Sequence, residues 1–341
     1  MEFIDEIRQQ PGALRDFMDL YFKRAKVEEL IKYIESQEYE HVIFSGMGSS
    51  YFAAMTGAQF LRKCGFTAHA FESGELARND NEVLANGKNL LVLVSQTGKS
   101  SEVLELARLV KKSIPTVVIS NHSERELAEY ADYFIDIRAG EENFTSSKTY
   151  TNTLAALLMV CYAIAGLNSN SLNDILNIVC KKMEELLSGT RNLNRACEVL
   201  KGINNLFFIG SGYSYFTATH AELVSGEVAK IFGSRYTVGQ FLHGPVEMMS
   251  AGIGYFLFDS NYCTRDKAEK IIDMALQSGG TVIHFSDRVY ATDLCNYVNI
   301  PLPFIREEVM PLIEIIPFEL LINSIAEARG YKPGVLNFVE K

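Results

Sequence analysis

Short apolar runs alternate along the chain with longer stretches whose apolar residues recur every three or four positions. In the first half, the apolar runs cover 41–46, 89–96, 116–121 and 133–137. The stretch 100–113 places its apolar residues on one side of a helix, at Val103, Leu104, Leu106, Leu109 and Val110. This alternation is typical of a mostly parallel sheet flanked by helices, so we predict an α/β fold.

The second half of the chain repeats the pattern of the first. Residues 42–54 resemble residues 206–218 at an offset of 164, glycine for glycine at both turns. Three more apolar runs return in the same order at offsets of 164 or 165, which indicates a duplicated α/β domain. We predict a first domain at 1–165 with N-terminal helices and a second at 166–341 with a C-terminal tail. The segment from about 139 to 195 is predicted to be helical and to join them.

Composition and charge narrow the classes of partner. The 341-residue chain is 48% hydrophobic and 22% charged, which is typical of a globular protein. Its formal net charge is −10 and no block of lysine and arginine stands out, whereas a nucleic-acid binder needs a basic face to meet phosphates. We therefore expect no nucleic-acid partner.

The sequence predicts neither a targeting segment nor a metal site. Its first residues are acidic where a signal peptide is basic, and the apolar run 153–167 is shorter than the roughly 20 residues that span a bilayer. We interpret that run as a buried helix and expect no membrane contact. Six cysteines and six histidines are dispersed without ligand spacing, which favours reduced thiols in a cytoplasmic protein with no metal and no cofactor.

Two loops in the first half combine glycine with hydroxyl side chains where a strand gives way to a helix. One is 46–50 (GMGSS) and the other is 95–101 (SQTGKSS). Glycine lets the backbone approach a ligand, the first N–H groups of a helix attract an anion, and hydroxyls donate hydrogen bonds without adding charge. Together the loops predict a phosphate site at the carboxyl edge of the sheet, although each alone could be only a helix cap.

Neither loop is a nucleotide-binding motif. Both lack the GxxxxGK[ST] pattern, and Gly46-Met47-Gly48 lacks the third glycine of a dinucleotide fingerprint. The sequence therefore gives no support for a bound nucleotide.

The two loops and the segment 141–148 (EENFTSSK) resemble the three phosphosugar-binding elements of the SIS (sugar isomerase) domain family. The resemblance covers essentially the whole chain. In the order of these elements, the chain resembles the tandem-SIS isomerase half of glucosamine-6-phosphate synthases and their stand-alone relatives. It implies two duplicated SIS-type domains and a sugar phosphate as ligand. The binding residues that it implies are Gly48, Ser49, Ser50, Ser95, Gln96, Thr97 and Ser100 around the phosphate, with Ser146 and the backbone of Phe144 at the sugar. Lys99 replaces an acidic residue of the family loop and either adds a charge contact or lies in solvent.

Candidate catalytic groups follow within 220–249. Moving a carbonyl between C1 and C2 of a sugar needs a base that carries a proton between the carbons and a group that opens the ring. Glu227 and His243 have suitable chemistry, since a partly desolvated carboxylate and a histidine can exchange protons near neutral pH. Taken alone, they are better interpreted as a solvated helix residue and a packed histidine.

The resemblance changes this interpretation. In the synthases a glutamate stands sixteen residues before the histidine of an HGP motif, as Glu227 does before His243. It implies that Glu227 is the proton-shuttling base and that His243 opens the ring. It also implies an obligate homodimer, because the family delivers this histidine across a dimer interface to form a composite active site.

Other positions match the family less fully. Gln240 stands where the synthases have glutamate, and Ser225-Gly226 stands where they have Leu-Lys, so identical substrate handling is not implied. Lys341, eight residues after Pro333, matches their Schiff-base lysine and, if buried, could condense with an open-chain ketose. Position two is Glu2 rather than a catalytic cysteine, so we expect no glutaminase activity.

Three functions fit these residues. The first is an isomerase or deaminase that acts on a hexose or amino-sugar 6-phosphate. The second is a deglycase that splits a fructosyl-amino acid 6-phosphate into glucose 6-phosphate and an amine. The third is a phosphosugar sensor without turnover, which the presence of Glu227 and His243 disfavours because a sensor needs no base.

Overall fold

A computed structural model of the chain describes residues 2–189, 192–260 and 262–338. Contacts within the chain divide it into two compact units. The first unit comprises residues 9–180, and the second comprises the described residues from 181 onward together with residues 2–8. The predicted domain boundary after residue 165 stays a prediction.

The first unit is built on a five-stranded parallel sheet. Its strands are β1 (His41–Gly46), β2 (Thr67–Glu72), β3 (Asn89–Val94), β4 (Thr116–Ser120) and β5 (Tyr133–Asp136). They lie in the order β2-β1-β3-β4-β5. The helices that begin in the first 180 residues are α1 (Phe3–Met18), α2 (Lys26–Glu35), α3 (Gly48–Lys63), α4 (Ser73–Arg78), α5 (Glu82–Ala85), α6 (Ser101–Val110), α7 (Lys148–Ile164) and α8 (Ser169–Ser188).

The second unit contains another five-stranded parallel sheet. Its strands are β6 (Asn205–Gly210), β7 (Phe232–Thr237), β8 (Ile253–Phe258), β9 (Thr281–Ser286) and β10 (Tyr297–Pro301), in the order β7-β6-β8-β9-β10. Its helices are α9 (Leu193–Val199), α10 (Tyr213–Ala229), α11 (Val238–Phe241), α12 (Arg265–Gln277) and α13 (Met310–Ala328). The two sheets have one topology, so the predicted duplicated α/β fold is confirmed.

The central strands are the most buried part of each sheet. Every residue of β3, β4 and β9 is buried. A parallel strand covered by helices on both faces reads as a continuous apolar run, which is why the sequence predicted these strands. The edge strands β2 and β7 are partly exposed and mixed in polarity, and the pattern did not predict them.

The segment predicted to be helical from about 139 to 195 is helical only in part. Its helices are α7 and α8 with the start of α9, whereas residues 139–147 form a loop. Arg138 and Gly140 adopt positive φ angles of 53° and 71°, which a continuous right-handed helix does not allow. The apolar run 153–167 lies largely in α7, whose residues are all buried, as interpreted from the sequence.

One described helix, Glu307–Ala328, is long and apolar enough to cross a membrane by length and composition alone. Its mean hydropathy is 1.7, and 94% of the apolar window is buried inside the protein. Because the core helix of a globular protein meets the same criteria, its burial identifies this helix as core. It packs against α10 in the second unit.

Candidate functional site

The turn after β1 is shaped by two glycines. A Cβ on Gly46 would lie 3.0 Å from the backbone of Ser50, Tyr51 and Val94, so no larger residue fits between the strand and the turn. Gly48 begins α3 with a φ of 49°, a conformation that glycine adopts without steric cost. The turn therefore brings the hydroxyls of the first helical residues against the end of the sheet.

The loop after β3 is closed by its own hydrogen bonds. The amide of Gly98, at φ 63°, donates to the carbonyl of Ser95 at 3.3 Å, and the amide of Lys99 donates to the hydroxyl of Thr97 at 3.2 Å. The hydroxyls of Ser95 and Ser100 lie 3.4 Å apart. The side chain of Lys99 is exposed. The loop thus gathers three of the predicted phosphate-binding hydroxyls before α6 begins.

Both loops flank the point where the strand order reverses. β1 and β3 are neighbours, and the chain leaves β1 towards the edge strand β2 but leaves β3 towards β4. In open α/β sheets the crevice for a ligand lies outside the carboxyl ends of the strands at such a point. The two predicted loops therefore stand where the topology favours a binding site.

The third predicted element is held by a buried carboxylate. Glu142 accepts hydrogen bonds from the amides of Ser147 and Thr149 at 3.0 and 3.2 Å and from their hydroxyls at 3.2 and 2.6 Å. These contacts cap the start of α7 and fix the loop before it. The Ser146 hydroxyl then donates to that of Ser49 at 2.8 Å, which joins the third element to the turn after β1.

These contacts bring four of the predicted residues to one small cavity. Ser49, Ser50, Gln96 and Ser146 line it, together with Thr149, Tyr150 and Thr153 of α7. Its volume is about 30 Å³, about that of one water, so it could admit a single phosphate oxygen or hydroxyl group.

The remaining predicted binding residues are not part of the lining of that cavity. Thr97, with Gln96 and Lys99, lines an adjoining open cavity of about 710 Å³. Ser95 is buried at the start of the loop after β3, and Ser100 is half-buried near the end of that loop. Phe144 is half-buried two residues before Ser146.

The helix starts around the cavity differ in their capping. Within the described chain, neither Met47 before α3 nor Ser100 before α6 provides a side-chain cap, whereas Glu142 already supplies a negative charge at the start of α7. Uncapped N–H groups and the helix dipole favour an anion. The helix starts of α3 and α6 are therefore more favourable to an anion than that of α7.

Glu227 lies half-buried in the last turn of α10, in the second unit. Lys230 ends this helix in the left-handed region, and its ammonium donates to the carbonyl of Glu227 at 2.6 Å and to that of Val335 at 3.0 Å. The C-terminal segment is thereby tied to the helix end that carries Glu227. Lys341 lies outside the described residues, so its predicted role stays a prediction.

His243 is exposed in the turn that follows α11. Its amide donates to the carbonyl of Gln240 at 3.1 Å, and Gly244 at φ 129° turns the chain into a short 3₁₀ helix. The catalytic roles of Glu227 and His243 stay predictions. His220 in α10 is no alternative proton donor, because its complete burial lowers its pKa to about 3 and keeps the ring neutral.

Sequence reasoning missed the capping role of Glu142 and the contacts of Lys230. An acid shortly before a serine–threonine cluster and an apolar helix is a detectable signal for Glu142. Lys230 acts through Val335, more than a hundred positions away, and no local pattern indicates that pairing.

Comparison with known proteins gives this arrangement a family. Residues 36–164 match the family model of the SIS domain. The chain is 27% identical over 337 residues to the glutamine–fructose-6-phosphate aminotransferase (isomerizing) of Pyrococcus horikoshii, and the match covers 97% of this chain and 55% of that protein. The chain thus spans about half the length of the curated relatives it matches.

Solved structures show the same fold. The C-terminal domain of glucosamine-fructose-6-phosphate aminotransferase from Francisella tularensis has a TM-score of 0.86 at 24% identity, with 98% of each chain covered. Tagatose-6-phosphate ketose/aldose isomerase from Escherichia coli has a TM-score of 0.79 at 19% identity, covering 98% of this chain and 95% of that one. Residues 36–164 therefore form a SIS domain, and the whole chain resembles in fold the isomerase domain of the aminotransferases and the stand-alone phosphosugar isomerases.

Proposed function

We propose that this protein is a phosphosugar isomerase or deaminase that acts on a hexose or amino-sugar 6-phosphate through a proton shuttle between C1 and C2. The observation that carries the proposal is the hydroxyl-lined cavity formed by Ser49, Ser50, Gln96 and Ser146 at the strand-order reversal. The similar tagatose-6-phosphate ketose/aldose isomerase structure supports the reaction class.

Neutral donors suit a phosphate in an acidic protein. Hydroxyls, an amide and the uncapped starts of α3 and α6 can surround a phosphate without a basic cluster. The small cavity admits only part of a phosphate group, and the rest of the phosphate and the sugar would extend beyond it. This arrangement selects for the charged group and leaves C1 and C2 accessible to other residues.

The chemistry assigned to the second unit is a proton transfer. In the ketose-to-aldose direction, Glu227 removes a proton from C1 to give an enediol and returns it to C2, while a proton passes from O1 to O2. His243 exchanges the proton that opens the ring, and no co-reactant is consumed. With an amino-sugar 6-phosphate, the isomerised imine takes up water and releases ammonia. Lys341 would hold an open-chain ketose as a Schiff base.

The assembly and location belong to the same proposal. The exposure of His243 in the turn after α11 makes this side chain available to a second copy of the chain. We therefore propose a homodimer with a composite active site, in the cytoplasm.

The first test is a screen of thermal stability and turnover. Hexose, amino-sugar and fructosyl-amine 6-phosphates are compared with the unphosphorylated sugars. A ligand at 100 times its dissociation constant stabilises the folded state by about 2.7 kcal/mol, which a melting shift registers. We expect shifts with phosphorylated sugars alone, and conversion of a hexose or amino-sugar 6-phosphate.

Other outcomes separate the alternatives. Release of glucose 6-phosphate from a fructosyl-amine 6-phosphate, without isomerisation of free hexose phosphates, would identify a deglycase. Binding without any turnover would identify a sensor, and no shift would refute the phosphate site. Ser95→Ala with Thr97→Ala should abolish the shift, whereas Ser101→Ala, whose exposed hydroxyl contacts Glu102, serves as the matched control.

A further inference from the structure

The second unit holds a carboxylate at its own copy of the candidate phosphate site. Ser214 is the counterpart of Ser50 in the repeat, 164 positions later. Its hydroxyl donates to Oε1 of Glu314 at 2.6 Å, and the hydroxyl of Thr217 donates to Oε2 at 2.5 Å. The first turn of α10 therefore binds both carboxylate oxygens of one buried side chain.

Glu314 reaches this place from the helix that corresponds to α7. α13 follows β10 as α7 follows β5, and it packs against α10 as α7 packs against α3. In the first unit, Thr149 and Tyr150 near the start of α7 line the hydroxyl cavity. In the second unit, Glu314 near the start of α13 has no exposed surface and contacts the equivalent turn. Helix α7 thus forms part of a cavity wall in the first unit, whereas α13 places a carboxyl group against the equivalent turn in the second unit.

The loop after β8 also carries an acidic residue where the first unit has a hydroxyl. Asp259 and Ser260 occupy the repeat positions of Ser95 and Gln96. The carboxylate of Asp259, with 3% of the residue exposed, lies 3.3 Å from the ring of His284 and 3.3 Å from the guanidinium of Arg288. An external phosphate would meet the buried carboxyl group of Glu314 here, and repulsion is weakly screened in a buried site, whereas the charge of Asp259 is offset by Arg288.

Burial and hydrogen bonding act in opposite directions on the pKa of Glu314. Burial raises the pKa of Glu314, and the hydroxyls of Ser214 and Thr217 oppose that rise by stabilising the charged form. One predicted phosphate donor of the first unit, Ser50, thus has a counterpart, Ser214, that holds a carboxyl group in the second. Thr217 joins it where the first unit has Ala53.

We propose that Glu314 is an internal ligand whose carboxylate occupies the oxyanion site of the second unit. This unit keeps one hydroxyl of the predicted phosphate site, that of Ser214, and adds that of Thr217, but it is closed to external phosphate. Removing the carboxylate opens a site for a small oxyanion, held by Ser214 and Thr217. The intact chain then binds one phosphosugar, in the first unit.

The test is chemical rescue of Glu314→Ala. Acetate replaces the atoms that this substitution removes, and inorganic phosphate probes the larger oxyanion, each against sodium chloride at equal ionic strength. The variant should melt below the wild type, and acetate or phosphate should raise its melting temperature by several degrees more than that of the wild type. Ser214→Ala with Glu314→Ala removes a donor as well and should lose the rescue. An equal response of variant and wild type would overturn the proposal.

A second measurement applies if Glu314→Ala does not fold. Glu314→Gln keeps the shape of the side chain and removes its charge. Ser214→Ala should lower the melting temperature more in the wild type than in the Glu314→Gln background, because a hydrogen bond to a carboxylate is stronger than one to an amide. Equal losses in the two backgrounds would show that no internal anion is bound. Neither measurement uses a phosphosugar. The inference about Glu314 therefore stands if the proposed function fails, and the proposed function stands if the inference fails.

Discussion

The two units share a strand order, glycine turns and helix starts, yet they differ at the carboxyl ends of their central strands. The first unit lines this region with hydroxyls and an amide and leaves α3 and α6 without side-chain caps within the described chain. The second fills the equivalent region with Glu314 and Asp259, both buried. The same scaffold therefore forms a hydroxyl-lined cavity in one unit and a buried polar core in the other, depending on a few side chains.

The difference also separates the two kinds of candidate residue. The predicted phosphate-binding residues lie in the first unit, and Glu227 and His243 lie in the second. If one duplicated unit binds and the other supplies proton transfer, substitutions in the two units should affect different measurable quantities.

The largest expected effect is on turnover. Glu227→Gln should lower kcat by about 10²- to 10⁴-fold, the usual contribution of a general base, while phosphosugar affinity stays near that of the wild type. Steady-state rates and a binding titration measure the two quantities. Glu222→Gln is the matched control on the same helix, where the carboxylate pairs with Arg235 at 2.5 Å. Unchanged turnover in Glu227→Gln would refute the assignment.

Glu142→Ala should have the next largest effect. It leaves the amides and hydroxyls of Ser147 and Thr149 without their buried acceptor, and we expect a loss of about 2–3 kcal/mol in the free energy of unfolding. Denaturant unfolding measures this loss. Glu141→Ala, at the exposed neighbouring position, should leave stability unchanged. Equal stabilities of the two variants would contradict the capping role.

Ser50→Ala and Ser214→Ala compare the two units directly. Ser50→Ala should weaken phosphosugar binding by about 10- to 100-fold, as expected for a hydrogen bond to a charged group, with little change in melting temperature. Ser214→Ala should lower the melting temperature and leave affinity unchanged, because its hydroxyl binds Glu314. Loss of affinity in both variants, or in neither, would remove the proposed distinction.

The smallest expected effect is on the pH dependence of stability between pH 7 and pH 5.5. His220, whose counterpart in the first unit is Thr56, has a pKa lowered to about 3 by burial. Since the unfolded chain binds a proton near pH 6.5 and the folded chain does not, stability should fall by about 1.4 kcal/mol per pH unit below pH 6.5. His220→Thr should reduce stability at pH 7 through lost packing but flatten this dependence. Urea unfolding at pH 7 and pH 5.5 measures the change in stability with pH. An equal change in the wild type and in His220→Thr would show that His220 does not cause it.

The sequence predicted the buried strands because their apolar runs reflect burial on both faces, and the repeat followed from their spacing. Strands β2 and β7 escaped prediction because edge strands mix exposed and buried positions. The loop at 139–147 was wrongly predicted as helical, since its conformation depends on positive φ angles and on the contacts of Glu142.

The candidate site was predictable where its residues are local. The two glycine–hydroxyl loops are continuous in sequence, and the structure joins Ser49, Ser50, Gln96 and Ser146 at one cavity. Glu314 was not predictable, because an acid within an apolar helix has no visible partner until Ser214, a hundred positions earlier, is seen beside it.

Helix α13 has a consequence for the synthesis of this protein. It follows every strand of the second sheet in the chain, and it packs on α10 with nearly all of its apolar surface buried. While the ribosome is still making this segment, the first unit has all of its strands, but the second still exposes the groove that α13 will fill. Nascent chains paused before α13 should therefore be prone to aggregation and to capture by chaperones that bind exposed apolar surface.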